Sequence, residues 1–427
     1  MANKRVLLLS TTTGYQLRAF DDAAQRLGVE LVFGTDRCHQ LDDPWRDRAI
    51  PIRFHREWQS ADAVVKEAAR APFHGVIAVG DRPTVLGALI CERLNLPGNP
   101  PDAAAASGNK RETRARLAQA GLNVPWNFTL PIRATPGEAL RDGRVRFPCV
   151  LKPLGLSGSR GVIRANSPEE FIAAFQRIQG LLQRLDVRAA RTGLEDVLLV
   201  EGFIPGREFA IEGVLTGGTL QAFAIFDKPD PLDGPFFEET IYVTPSVLGG
   251  LTQVALLGTI SEACAALGLW HGPVHVECRI GPDGIFVLEI AARPIGGLCS
   301  KALRFEGGIS LEQVLLRHAI GEDVSSYAQD STSSAVMMIP IPGRGLFKSV
   351  EGVDRASEVA GIDEVRITAK PDQLLEPLPE AGSYLGFIFA RASQPGEAER
   401  AVREAHSWLV FTIEPEIPVL PASSFQL

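Results

Sequence analysis

The sequence predicts an α/β protein of two or three domains: a parallel, helix-covered sheet first, a strand-rich centre, and a small α+β region last. Three observations carry this. The first hundred residues alternate short apolar runs with helical patterns. The centre turns to longer apolar runs joined by tight glycine turns. At 427 residues the chain also exceeds what one hydrophobic core ordinarily organises.

Taken in order, "RVLLLS" (5–10) reads as a strand, "YQLRAFDDAAQRLG" (15–28) as a helix and "ELVFGTD" (30–36) as a second strand. A helix near 59–70 precedes "HGVIAVG" (74–80), another strand. This β-α-β-α rhythm implies a parallel sheet. Ligands of such sheets sit at the carboxyl ends of strands, so "VGDRPT" is a candidate pocket wall as well as an ordinary βα turn. Asp81 is placed to cap the next helix, with a proline in its first turn. The break "NLPGNPP" (95–101) leads into helical "NKRETRARLAQAG" (109–121) and the compact strand "PCVLKP" (148–153). "SPEEFIAAFQRIQGLL" (167–182) opens with a capping box from Ser167 to Glu170 and Pro168 at the first helical position. Strands follow at 196–204, 207–216 and 219–228, the last two joined by Gly217–Gly218, a hairpin signal. A long helix is expected at 251–268, and small α+β structure from about 330.

Composition narrows the function. The net charge of −8 argues against general binding to nucleic acid or anionic membrane, so any anionic ligand needs local cations. The cysteines at 38, 91, 149, 264, 278 and 299 are scattered without a C-x-x-C pair, as expected of reduced, buried thiols. The apolar run near the start is only "VLLL", too short for a signal peptide core. No apolar run approaches membrane-spanning length. A cytoplasmic protein is expected.

Three stretches carry chemistry. "KPLGLSGSRGV" (152–162) holds glycines and serines whose amides can approach an anion closely, although it matches neither a P-loop nor G-x-G-x-x-G. As a loop alone it reads equally as a hairpin tip. Lys152, however, ends an apolar strand, where a charge is costly without an anionic partner. In "VEGFIPGREFAIEG" (200–213), Glu201 and Glu208 flank a "PGR" turn and can face one small ligand. In "HVECRIGPDGIFVLEIAARPIGG" (275–297), His275 and Glu277 share a strand face, and Glu289 lies beyond a tight turn. Two carboxylates on paired strands repel and are costly to desolvate. A divalent cation removes both costs, with Arg293 left to steady a phosphoryl group. The competing reading pairs the two acids with Arg279 and Arg293 as structural ion pairs.

Lys110, Lys152 with its Gly/Ser loop, "VEGFIPGREF" and "HVE…LEIAAR" stand in an order that resembles the ATP-grasp enzymes, and among them the L-amino acid ligases, which join a carboxylate to an amine. The resemblance spans about 1–420 and is most specific over 105–300. It implies an N-terminal α/β domain at 1–104, an ATP-grasp domain at 105–325 (a small lid part at 105–200, a nucleotide and metal part at 201–325) and a C-terminal α+β domain at 326–427. It implies ATP with Mg²⁺, or Mn²⁺ in its place. Lys110 and Lys152 would contact the nucleotide phosphates, and the Gly155–Gly161 loop, with Ser157, Gly158 and Ser159, would close over them. Glu201, Phe203 and Ile204 would hold the adenine and Glu208 the ribose, while Lys228 is placed to reach phosphates or substrate. Glu277 and Glu289 would bind the metal. Glu239, Tyr242, His275, Arg293, Gly296 and Gly297 would line the substrate site, with Arg293 catalytic beside Lys152. Ala291 stands where many ATP-grasp sites carry a further metal-binding asparagine, a departure that the amino acid ligase branch tolerates.

The implied reaction phosphorylates a carboxylate and lets an amine displace the phosphate. Its partners are small-molecule acids and amines, amino acids first among them, and relatives imply a homodimer. The alternatives are an ATP-grasp ligase of purine-synthesis or carboxylase type and an inactive nucleotide-binding module. No Met-Lys-Met biotin-carrier motif is present.

Overall fold

A computed structural model describes residues 4–11, 16–36 and 49–415. Near the N-terminus β1 (Arg5–Ser10), β2 (Glu30–Thr35), β3 (Ile50–Pro51) and β4 (Gly75–Val79) form a parallel sheet in the order β3-β2-β1-β4. The apolar run of β1 is continuous because both its faces are covered. Val6 and Leu8 pack with Phe20, Ala23 and Ala24 of the helix Leu17–Leu27. Leu7 and Leu9 pack with Ala61 and Val64 of the helix Glu57–Ala68 and with Leu86 and Leu89 of the helix Thr84–Leu94. Asp81 does not cap that last helix. Pro83 holds the cap position and makes no side-chain cap bond, while the Asp81 carboxylate turns to Arg293.

β5 (Asn127–Pro131), β6 (Cys149–Pro153), β7 (Ile163–Ala165) and β8 (Val197–Gly202) form an antiparallel sheet in the order β5-β8-β6-β7. It is covered by the helix Pro168–Leu182 through Phe171, Phe175 and Ile178. Ser167 caps this helix by accepting from the Glu170 amide, as expected. The Glu170 carboxylate reaches back one residue further than a capping box requires, to the Asn166 amide at 2.8 Å.

The centre of the molecule is one eight-stranded antiparallel sheet. β9 (Arg207–Thr216) and β10 (Thr219–Asp227) form the expected hairpin about Gly217–Gly218, followed by β11 (Ile241–Thr244), β12 (Gly272–Gly281) and β13 (Gly284–Ala291). A short ribbon, β14 (Arg304–Phe305) with β15 (Ile309–Ser310), precedes the C-terminal strands β16 (Ser333–Ile339), β17 (Gly345–Glu351), β18 (Ile362–Ile367), β19 (Leu374–Leu375), β20 (Gly386–Ala392) and β21 (Val410–Glu414). The sheet order is β13-β12-β9-β10-β11-β16-β20-β18. The C-terminal region thus continues the central sheet across the β11–β16 seam, while β19-β17-β21 form a separate small sheet.

The helix Gly250–Leu267 covers one face of β9, β12 and β13 through Leu256, Ile260, Ala263, Cys264 and Leu267. Its 18 residues have a mean hydropathy of 1.3, enough by length and composition to cross a membrane, contrary to the expectation that no apolar run comes near that length. Here one stripe packs on the sheet while Leu251 and Val254 face outward. The cysteines at 91, 149, 264, 278 and 299 are free and buried, as expected; Cys38 lies outside the described residues.

Candidate active site

Strand alternation builds the site. The face of β9, β12 and β13 that turns away from the helix Gly250–Leu267 carries Glu208 and Glu212, then His275, Glu277 and Arg279, then Glu289. Register pairs Glu212 with His275, Glu208 with Arg279, and Glu277 with Glu289 across the β12–β13 turn. The odd-looking acids in apolar strands are therefore one polar face of a sheet whose other face is core.

All the residues singled out from the sequence except Lys228 line one cavity of about 350 Å³ between this face, the β5–β8 sheet, the N-terminal sheet and the C-terminal region. Lys228 lies just behind, with Nζ 2.8 Å from Glu208 Oε1, 2.6 Å from Glu239 Oε1 and 3.3 Å from Glu277 Oε1. Burial opposes its charge, but the three carboxylates outweigh burial and hold its pKa well above the usual lysine range. Burial and the neighbouring Glu277 push Glu239 up to about 7, and the Tyr242 hydroxyl donates to its Oε2 at 2.7 Å. His275 is buried too, yet its contacts with Glu212 (3.0 Å) and Glu277 (3.7 Å) raise it to about 9, so it is an imidazolium at neutral pH.

Neither reading of the acid pair anticipated these partners. Arg279 pairs with Glu208 at 2.8 Å, not with Glu277 or Glu289. Arg293 holds Asp81 through Nε at 2.7 Å and Nη2 at 3.3 Å. Glu289 faces Lys110 at 3.4 Å. Oxygens of Glu208, Glu239 and Glu277 also lie within 4.8 Å of one another. The Lys228 ammonium sits among that trio; Glu277 and Glu289, opposed across β12 and β13, are the pair whose carboxylate oxygens suit a hard divalent cation such as Mg²⁺.

At the other wall, Lys110 opens the helix Lys110–Gln119, and Arg114 lies one turn on along the same face. Arg114 is 1% exposed; it holds Glu201 through Nε (2.8 Å) and Nη2 (3.1 Å), and donates to the carbonyls of Val287 and Leu288. Lys152 is the second partner of Glu201. Burial lowers the Lys152 pKa; the pull of Glu201 is countered by Arg114 and Lys110 nearby. Cations are therefore crowded here, and a polyanion would relieve them. For Glu201, burial is outweighed by Arg114 and Lys152, which hold it down to about 2. Its folded pKa is depressed, so the stability it contributes is full above about 4.5 and lost as pH falls through about 2. Acid titrations of wild type and Glu201→Gln should accordingly diverge above pH 2 and converge below it; parallel curves throughout would show that Glu201 is not ionised in the fold.

With the Glu201 carboxylate so engaged, the cavity surface nearby is formed by Phe203 and Ile204. Phe203 stacks on Phe237 at 6.4 Å, under the Arg164 guanidinium at 4.1 Å. Of the Gly155–Gly161 loop, Leu156, Ser157, Gly158 and Ser159 line the cavity, with Lys110 Nζ 2.7 Å from the Leu156 carbonyl. At the far end, Gly296 and Gly297 lie beside Arg293. Gly297 has φ +61°, and a Cβ there would lie 3.2 Å from the Phe387 ring, so any other residue would be strained.

Several residues of the site, some lining the cavity and some behind its wall, are not marked by the sequence patterns. Asp81 fits a helix cap by its local sequence, although its turn is a candidate pocket wall. Arg114 was legible from its i, i+4 spacing to Lys110. Glu212 receives the Ile295 amide and His275 Nδ1 at 3.1 and 3.0 Å, but nothing local distinguished it. Met338, Ser383, Tyr384 and Phe387 come from the C-terminal region, and no sequence signal linked them to the site.

Residues 145–302 match the ATP-grasp domain, residues 20–98 the ATP-grasp N-terminal domain, and residues 337–414 the L-amino acid ligase C-terminal domain 2. The crystal structure of an L-amino acid ligase from Bacillus licheniformis superposes with a TM-score of 0.81 at 27% identity, covering 97% of this chain and 100% of that one. Alanine–anticapsin ligase of Bacillus subtilis is 28% identical over 239 residues, 53% of this chain and 49% of its own. Carnosine synthase 1 of Gallus gallus is 33% identical over 219 residues, 50% of this chain and 23% of its own. The chain thus spans half or less of the length of these two relatives.

Proposed function

Because the chain is an ATP-grasp protein with the C-terminal domain of the L-amino acid ligases, we propose that it is an ATP-dependent ligase joining one amino acid's carboxylate to another's amine. The product is an amide of dipeptide type, with ADP and phosphate released. The observation that carries this reading is the convergence of Lys110, Lys152 and Arg293 with the opposed acids Glu277 and Glu289 on one cavity.

In the first step a substrate carboxylate oxygen bonds to the γ-phosphorus of ATP, the bond to the β-phosphate oxygen breaks, and ADP leaves. The difficulty is electrostatic, since an anion must approach a polyanion. Lys110 and Lys152 draw the phosphates to one wall, and the amides of Ser157, Gly158 and Ser159 cover them. Phe203 and Ile204, with the main chain at Glu201, hold the adenine, and Glu208 holds the ribose. Bound between Glu277 and Glu289, Mg²⁺ would neutralise phosphate charge. Arg293 steadies the acyl-phosphate, fixed in place by Asp81. Glu239, with Tyr242 beside it, faces the amino group of the first substrate, and Gly296 and Gly297 leave room for its carboxylate. His275, charged and held by Glu212, is placed to contact the phosphate. Lys228, expected to reach phosphates or substrate, instead sits behind the cavity wall and holds Glu208, Glu239 and Glu277 in place. In the second step the amine nitrogen bonds to the acyl carbon, phosphate leaves, and the nitrogen gives up a proton.

A phosphate-release screen with Mg-ATP and amino acids, singly and in pairs, tests this. Release should depend on a particular pair, with ADP and amide formed in equal amounts. Release that needs bicarbonate or a non-amino-acid carboxylate, or no release with any pair, would overturn it.

A further inference from the structure

The lid over the phosphates does not stand alone. The Gly161 amide donates to the Pro379 carbonyl at 2.9 Å, and Arg160 Nε donates to the Glu380 carbonyl at 2.7 Å. Arg177, on the helix that covers the lid sheet, holds the Glu380 carboxylate with both Nε and Nη2, at 2.6 and 2.9 Å. Arg184 holds Glu376 at 2.8 Å. Gly382 faces Gly158 so closely that a Cβ on it would lie 3.0 Å from the Gly158 carbonyl oxygen. Every one of these contacts falls on one nine-residue loop, Glu376–Tyr384, some two hundred residues away in sequence. The same loop ends in Ser383 and Tyr384, which line the same cavity as Arg293 and Glu239.

We propose that this loop latches the phosphate lid, with Glu380 as its positioning residue, so that closing over the nucleotide and completing the acyl pocket are one event. This rests on the ligase reading above. The chemical need is specific: water oxygen can bond to the acyl carbon in place of the amine, expelling phosphate and regenerating the carboxylate. That side reaction spends ATP without making amide, and a closed lid prevents it. A bidentate ion pair supplemented by two bonds to main-chain carbonyls, one from the Gly161 amide and one from the Arg160 side chain, gives the closed position more definition than an isolated surface pair would.

The test is the ratio of ADP to amide formed, which a merely structural contact would not move. In Gly382→Val the side chain forces the lid back, and the ratio should rise roughly tenfold, with KM for ATP raised more than kcat is lowered. In Glu380→Arg, which breaks a partly exposed pair, the ratio should rise about threefold. Adding Arg177→Glu should bring it back toward wild type by restoring the pair in reverse. A second readout needs no turnover: hydrogen exchange at residues 156–161 in Mg-ADP should quicken in Gly382→Val. Unchanged ratios and unchanged exchange would overturn the latch while leaving the ligase reading intact. A wild type that joins no amino acid pair would overturn the ligase reading, and the exchange result would then decide the lid contact on its own.

Discussion

Arg293→Ala is expected to lower kcat about a thousandfold while leaving the protein folded, the scale found when a cation aimed at a transferring phosphoryl group is removed. Arg293 is 9% exposed, and its Nη1 is already fixed by the Pro294 carbonyl at 3.1 Å. Asp81 holds the rest of the guanidinium, and together these contacts leave it little freedom to reorganise during reaction. Burial works against the charge, but Asp81 more than offsets this and raises the arginine further above its usual range. Arg293→Lys should recover only part of the loss, since an ammonium cannot hold Asp81 and a phosphoryl oxygen in one plane. Asp81→Asn should cost less than Arg293→Ala, because it loosens the guanidinium without removing it. Steady-state kinetics on the pair found in the screen would decide. If Arg293→Ala stays within tenfold of wild type, the residue is structural and the placement of the acyl-phosphate is wrong.

The largest effect on stability is expected from Arg114→Ala, about 3–5 kcal/mol, the cost of leaving one member of a buried ion pair uncompensated. Arg114 joins three pieces of chain at once: its own helix, β8 through Glu201, and β13 through the carbonyls at Val287 and Leu288. Its loss strands a fully buried carboxylate whose remaining partner, Lys152, is itself held below the usual lysine range by burial. Replacing Arg114 and Glu201 together with Met and Leu should cost markedly less than Arg114→Ala alone, since neither charge is then left buried. Denaturant midpoints read this directly. A change under about 1 kcal/mol for Arg114→Ala would mean that water enters the site readily.

Much of the fold was legible because its elements obey local rules. The continuous apolar run of β1 announced a strand covered on both sides, and Gly217–Gly218 announced the β9–β10 hairpin. Single-strand alternation placed His275 and Glu277 on one face, and that face is the floor of the cavity. Partner choice was not legible. Both Glu277 and Glu289 have arginines nearby in sequence, yet they face Lys228 and Lys110. Which residues meet across strands depends on register with β9 and β13, and a bulge after Glu277 shifts the β12–β13 register in a way no local pattern shows. Asp81 illustrates the same limit: Asp-x-Pro before a helix satisfies a capping rule, but the tertiary attraction of Arg293 outweighs it. The C-terminal contribution was the least visible, because it depends on β16 pairing with β11, a contact between residues nearly a hundred positions apart.

That seam limits how the chain can be recombined. Severing the polypeptide before β16 would bare the backbone donors and acceptors of Ile241–Thr244, together with the apolar side chains of Ile241 and Val243. Such an uncovered ribbon is a template for self-association. Grafting a foreign tail to alter substrate choice would therefore require its first strand to match this one residue for residue, so new specificities should arise more readily by point change within the last ninety residues than by shuffling them whole.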